Sequence, residues 1–176
     1  MTERLYDGEN AVSLDDLKHH LRIMHADDDG EIALFAVAAQ RELELYGEIA
    51  ITRQTIRVAL EGIPQCGEIR LPVGPVERGT AVSVSVDGEP YAGWRLRPGL
   101  RGRLRFDDPE ALSGSEVEIE YTAGFTTPPP DLVIAVRDQG AMYFDGRATS
   151  VLRADRSGGI SDHARRIVGR YRGVAI

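Results

Sequence analysis

The sequence predicts an α+β protein made of an antiparallel helical pair, an inserted small antiparallel β-sheet or sandwich, a third helix packing on the first two, and a basic C-terminal tail. Two patterns carry that prediction. Apolar residues recur at three-to-four spacing before Gly47 and again after the prolines at 128–130, whereas between them they alternate in short runs broken by Gly and Pro. A third observation sets off the tail: from Arg147 onward seven arginines face only Asp155 and Asp162, a balance of +5 in a chain whose net charge is −7. The body is therefore placed at 1–148 and the tail at 149–176.

The elements follow in order. Ser13 is a plausible N-cap for a helix over about 14–25, with Leu14, Leu17, Leu21 and Met24 on its apolar stripe. Asp28 with Glu31 three residues on resembles a capping box, and Asp27, Asp28 and Asp29 sit where the helix dipole favours negative charge. The second helix should run over about 28–46, with Ile32, Phe35, Ala36, Ala39, Leu43 and Tyr46 on one face and Gly47 as its stop. The β insert, about 50–122, reads as strands near 51–60, 68–71, 80–86, 93–97, 102–106 and 116–121. Asp87-Gly88 supplies one turn, and Pro98-Gly99 to Gly102 joins WRLR to RLRF as a hairpin. The prolines at 128–130 cannot lie inside a helix but can lead into one, predicted over about 130–146 with Leu132, Ala135, Val136, Gln139, Met142 and Tyr143 on its inner face. Beyond Ser157-Gly158-Gly159, the stretch from Ser161 to Arg172 reads as a weak helix in a tail that a partner would order.

Bulk properties bound the function. The 176 residues, 42% hydrophobic, suffice for one modest core, with assembly a natural source of further stability. The single Cys66 excludes an internal disulfide and points to a reducing site of synthesis. MTERLYDGEN lacks the basic and apolar regions of a secretion signal, and no run of 18 apolar residues exists, so no membrane association is expected. The negative net charge argues against a general nucleic-acid coat. In residues 1–50 four basic residues face twelve acidic ones, so an acidic N-terminal part and a basic end share one chain, a polarity suited to head-to-tail contacts between neighbours.

Each candidate site has a plain structural reading beside the functional one. Strand alternation puts Trp94, Leu96, Leu104 and Phe106 on one side of the hairpin and Arg95, Arg97, Arg101, Arg103 and Arg105 on the other. That arginine face is a solvated outer face, a contact for an acidic neighbour, or a DNA contact at a lumen; tight phosphate binding would hinder DNA that must slide. The seven tail arginines, Arg147, Arg153, Arg156, Arg165, Arg166, Arg170 and Arg172, are candidates for docking on a partner protein. The run Asp27-Asp28-Asp29-Gly30-Glu31 has neither glycine nor glutamate at calcium-loop spacing, and His19, His20, His25 and His163 lack zinc-type partners, so no metal and no cofactor is expected. Cys66 lies in a Gly- and Pro-bounded turn with no sign of a paired histidine. With no phosphate loop, nucleophile elbow or dinucleotide fingerprint, an enzyme is not expected.

The order of several short motifs is more specific. SLDDLKHHLRI, then ADDDGEIALFAVAAQRELELY, AITRQTIRVAL, IRLPVGPVERGTAVSV and VEIEYTAGFTTPPPDL together resemble the head-tail connector (adaptor) family of long-tailed phages, prophages and gene transfer agents, over about residues 12–147. LPVGPV before an alternating strand and YTAGF before a proline-led helix are the most distinctive. The resemblance implies a structural ring, commonly of twelve subunits, between portal and tail, with DNA passing through its centre without specific binding. It further implies contacts with the portal protein and with tail terminator or stopper proteins. Synthesis is then expected in the bacterial cytoplasm, and assembly at the head-tail junction. The family's C-terminal region typically reaches toward the portal, which here is the arginine-rich stretch. The competing reading is a DNA-binding or other non-catalytic oligomeric interaction protein; a DNA-binding regulator fails on the acidic exposed sides of the first two helices.

Overall fold

The computed structural model describes residues 1–6, 8–147 and 159–172. Its elements are β1 (Thr2–Leu5), α1 (Leu14–Leu21), α2 (Asp29–Gly47), β2 (Gln54–Glu61), β3 (Glu68–Arg70), β4 (Val82–Val86), β5 (Glu89–Pro90), β6 (Trp94–Arg97), β7 (Arg103–Phe106), β8 (Glu116–Ala123), α3 (Pro130–Arg147) and α4 (Asp162–Gly169). They form two compact units. Among the described residues, one joins 1–6 and 8 to 48–126 and holds every strand; the other joins 9–47 to 127–147 and 159–172 and holds every helix. The predicted α+β class is what the structure has, and both units are discontinuous in sequence.

In the β unit a five-stranded sheet, β1-β2-β8-β4-β5, and a three-stranded sheet, β3-β7-β6, are antiparallel throughout. Alternation gives each sheet one apolar face, and both faces feed a single core. Ile56, Val58, Val84, Val117, Ile119 and Tyr121 come from the larger sheet, and Ile69, Leu104 and Phe106 from the smaller. The Tyr121 hydroxyl donates to the Val73 carbonyl (3.0 Å) and accepts from the Val73 amide (3.1 Å), so a buried polar tip is satisfied.

The distinctive motifs meet in this unit. The Gly74 carbonyl of LPVGPV accepts from the Ala50 amide (2.7 Å), and the Gly124 amide of YTAGF donates to the Pro75 carbonyl (2.9 Å). A Cβ on Gly74 would lie 1.9 Å from the Leu100 carbonyl oxygen, and one on Gly124, whose φ is +111°, would lie 2.1 Å from that of Thr52. Both glycines are there because backbones touch. Strands β1 and β5 are additions to the predicted set, four and two residues long and carrying no alternation long enough to read.

In the helical unit Ser13 caps α1 through a reciprocal box with Asp16. The helix is shorter than predicted, because Arg22 turns left-handed (φ 59°) and closes it after Leu21. Helix α2 includes Gly47, and the left-handed residue that stops it is Glu48 (φ 52°), one position later than predicted. Leu17, Ile32, Ala36, Ala39, Leu43, Leu132, Ala135 and Val136 are buried. Gly140 completes the α1 contact: a Cβ there would meet Leu17 Cδ2 at 3.0 Å.

Part of the stretch expected to await a partner is instead folded within this unit. Ala164, Ile167 and Val168 of α4 are buried, and Ser161 caps the helix by accepting from the Ala164 amide. Buried Gln139 on α3 ties the pieces together: its Nε2 donates to Glu42 (2.7 Å) and its Oε1 accepts from the Ser161 amide (2.9 Å). The physical reason is an i, i+3, i+4 apolar stripe that four surrounding arginines dilute in the sequence.

Candidate assembly surfaces

The arginine hairpin lies on the outward face of the three-stranded sheet. Pairing aligns Arg95 with Arg105 and Glu68 in one row, and Arg97 with Arg103 and Arg70 in the next. Residues directly opposite on antiparallel strands share a face, so all six point outward while Ile69, Leu96 and Leu104 point into the core. Glu68 sits amid this charge. Arg103 reaches it at 2.6 Å and Arg97 at 3.9 Å, and the Arg103 hydrogen bond holds its carboxyl below the ordinary glutamate value. Arg95 pairs with Asp107 at 3.6 Å.

Arg101 corrects the sequence reading. It precedes β7, lies in the connection, and its side chain is mostly covered at 11% exposure. The guanidinium donates to the carbonyl of Glu48 (2.8 Å) and, more weakly, to that of Pro72 (3.4 Å), with the Glu48 carboxylate at 3.5 Å. It braces the chain where the β unit begins rather than joining the outer face. Arg70 takes the fifth place on that face, a residue the sequence reading missed although Glu68-Ile69-Arg70 alternates around a buried isoleucine.

Of the tail arginines, Arg165, Arg166, Arg170 and Arg172 are exposed on or just after α4. Arg165 is held by Asp162 (3.7 Å), and Arg172 lies 5.4 Å from the centre of the Tyr46 ring. Arg147 ends α3; Arg153 and Arg156 lie outside the described residues. On α2, Leu34 and Leu45 are 68% and 62% exposed and, eleven residues apart, lie on one helical face.

The remaining candidates take structural places. Asp29 pairs with Lys18, tying the acidic run to α1, and His25 pairs with Asp27 at 3.5 Å. Asp138 on α3 is shared by His163 of α4 and by His20 of α1, the latter at 3.7 Å. Among the described residues no three His, Cys, Asp or Glu side chains converge as a metal site would require, and no helix is long and apolar enough to cross a membrane. Cys66 is exposed in the turn before β3.

No protein-family model and no curated protein matches this sequence. Solved structures do. The chain is similar to one in the neck of an empty gene transfer agent particle, computed with C6 symmetry, at 25% identity and a TM-score of 0.78. It is similar to one in the neck of the native particle, computed with C12 symmetry, at 25% identity and 0.78, and to one in the virion of the native particle at 26% and 0.78. In each case the likeness covers 100% of this chain and 97% of the other. The resemblance to head-tail connectors read from the motif order is thus matched by structures of a phage-like particle's neck.

Proposed function

We propose that this chain is a structural component of the neck of a phage-like particle, and that copies of it form a ring, twelve in the assembled particle, between portal and tail, giving DNA a passage. The observation that carries the reading is end-to-end likeness to neck chains, which leaves almost no part of either protein unaccounted for. Twelve copies satisfy both the C12 and the C6 symmetry of those necks. A net charge of −7 suits a conduit that must not grip phosphate. The role asks for no catalysis.

Within the ring, the exposed leucines Leu34 and Leu45 of α2 suit apolar contact between neighbours. The exposed arginines Arg165, Arg166, Arg170 and Arg172, continued in sequence by Arg147, Arg153 and Arg156, suit docking on an acidic portal surface, with tail terminator or stopper proteins on the other side. The deciding experiment is mass measurement of the chain alone and with purified portal. A complex holding twelve copies per portal ring is expected; a chain that stays monomeric and never associates with portal overturns the proposal.

A further inference from the structure

The outward face of the larger sheet is the electrical opposite of the arginine face. Pairing places Glu3, Arg57, Glu120 and Ser83 in one row, Ala59, Glu118 and Ser85 in the next, and Glu61 with Glu116 at the end. Five glutamates stand there against Arg57 and the Met1 ammonium, which donates to the Ala59 carbonyl, a balance of −3; on the smaller sheet five arginines stand against Glu68 and Asp107, the partner of Arg95, a balance of +3. All of these charged residues except Glu68 are exposed. Because the two sheets share one core, these faces look in opposite directions. The acidic face is also hollowed, with a depression of about 420 Å³ lined by Glu3, Arg57, Ser83, Ser85, Glu118 and Glu120 among others.

We infer that the arginine face of one copy docks on the acidic face of the next, a heterologous contact between β units that repeats around the ring. The occupant is a second copy of this chain because the chain itself carries both complementary surfaces, equal in magnitude and opposite in sign, on the two sides of one sandwich. An isologous dimer would set like against like. Head-to-tail placement is the arrangement that pairs them, and it generates a ring when the rotation closes. This inference rests on the neck reading above. Three strands about 4.8 Å apart and four residues of about 3.4 Å each span roughly 200 Å², a quarter of the roughly 800 Å² per partner of a standard interface. The contact therefore sets orientation and spacing, and other surfaces supply the rest of the cohesion.

Zero-length carbodiimide coupling tests it, since that reagent joins amines to carboxylates and the native amines are only Lys18 and the Met1 terminus, whose products are identified in the unsubstituted chain. In particles assembled with R97K or R105K chains, the new lysine should couple to Glu116, Glu118 or Glu120 of another copy. Sheets packed about 10 Å apart with diverging outer side chains cannot make that bond within one chain. Coupling to Glu68 of the same chain is the internal control. A ring in which the new lysine reaches only Glu68, or a peptide of another protein, overturns this interface and leaves the neck reading standing. Absence of the unsubstituted chain from particles overturns both. As a second readout, R95E/R97E/R105E and E3R/E116R/E118R chains, each folded by circular dichroism, should assemble about tenfold less well alone and recover when co-expressed. Failure to recover, or loss of DNA binding as the sole effect of the first variant, also overturns the inference.

Discussion

Tyr121 shows how much a single hydroxyl fixes in this molecule. Burial pushes its phenol far above the usual tyrosine value, so it stays protonated, donating to and accepting from Val73. Tyr121→Phe leaves both Val73 backbone groups without that partner, and should cost about 1–3 kcal/mol, read by fluorescence of the single Trp94 on β6. The same probe should separate two arginines that look alike in the sequence. Arg101→Ala removes the donor to two backbone carbonyls in a covered site and is expected to destabilise by about 1–3 kcal/mol. Arg103→Ala, at an exposed pair, should lose at most about 1 kcal/mol. Parity counting placed both on one face because it assumes a strand running through Arg101, whereas strand geometry begins at Arg103.

The acidic side chains make a separate prediction. Glu68 is held low first by its hydrogen bond to Arg103, and Glu77 by the Thr126 hydroxyl, aided by the Thr126 amide and Arg53. A carboxyl lowered in the folded state binds fewer protons there than in the unfolded chain. Its contribution is therefore present above the ordinary value of 4.5 and is lost as pH falls through the folded value. An acid titration of the β unit should show stability falling below about pH 4.5, less steeply in a Glu77→Gln variant; an unchanged acid limb would refute the assignment.

At the scale of elements, most strands were legible because alternation is a physical requirement of a sheet with one buried face, and β2, β4, β7 and β8 keep it. Short edge pieces such as β1 and β5 are defined by hydrogen bonds to a neighbour, a relation that their own residues do not encode. Helix α4 was legible only as a weak tendency. Its stabilisation comes from tertiary packing of Ala164, Ile167 and Val168 and from Gln139 gripping its first turn. Ile167→Ala should accordingly cost the helical unit about 2–4 kcal/mol, while Ser161→Ala, which removes a cap, should cost about 1 kcal/mol. Thermal denaturation followed by far-ultraviolet dichroism would check both, and equal small effects would mean that α4 contributes little to the unit.

For the molecule as a whole, charge placement was half legible. The arginine alternation in WRLR and RLRF stands out in a single segment, but the opposing acidic face is gathered from β1, β2 and β8, which lie far apart in sequence and join only through pairing. Self-association through such faces should weaken with salt, since charges exposed at a contact are screened over about 10 Å at 0.1 M. Light scattering of portal-bound rings between about 50 and 500 mM salt should show progressive loss of copies, whereas R95E/R97E/R105E chains, with glutamates facing glutamates, should assemble better as salt screens that repulsion.

The discontinuity of both units also sets a timetable during synthesis. Helices α1 and α2 emerge early, yet α3 and α4, which belong to the same unit, follow only after residues 48–126 have been made. At translation rates of roughly 5–20 residues per second, Leu17, Ile32 and Leu43 wait on the order of ten seconds with their apolar sides uncovered, while the β unit has its whole chain available first. The nascent protein therefore passes through a stage with a finished sandwich and two unsheltered helices, and that interval is when a chaperone would have something to hold.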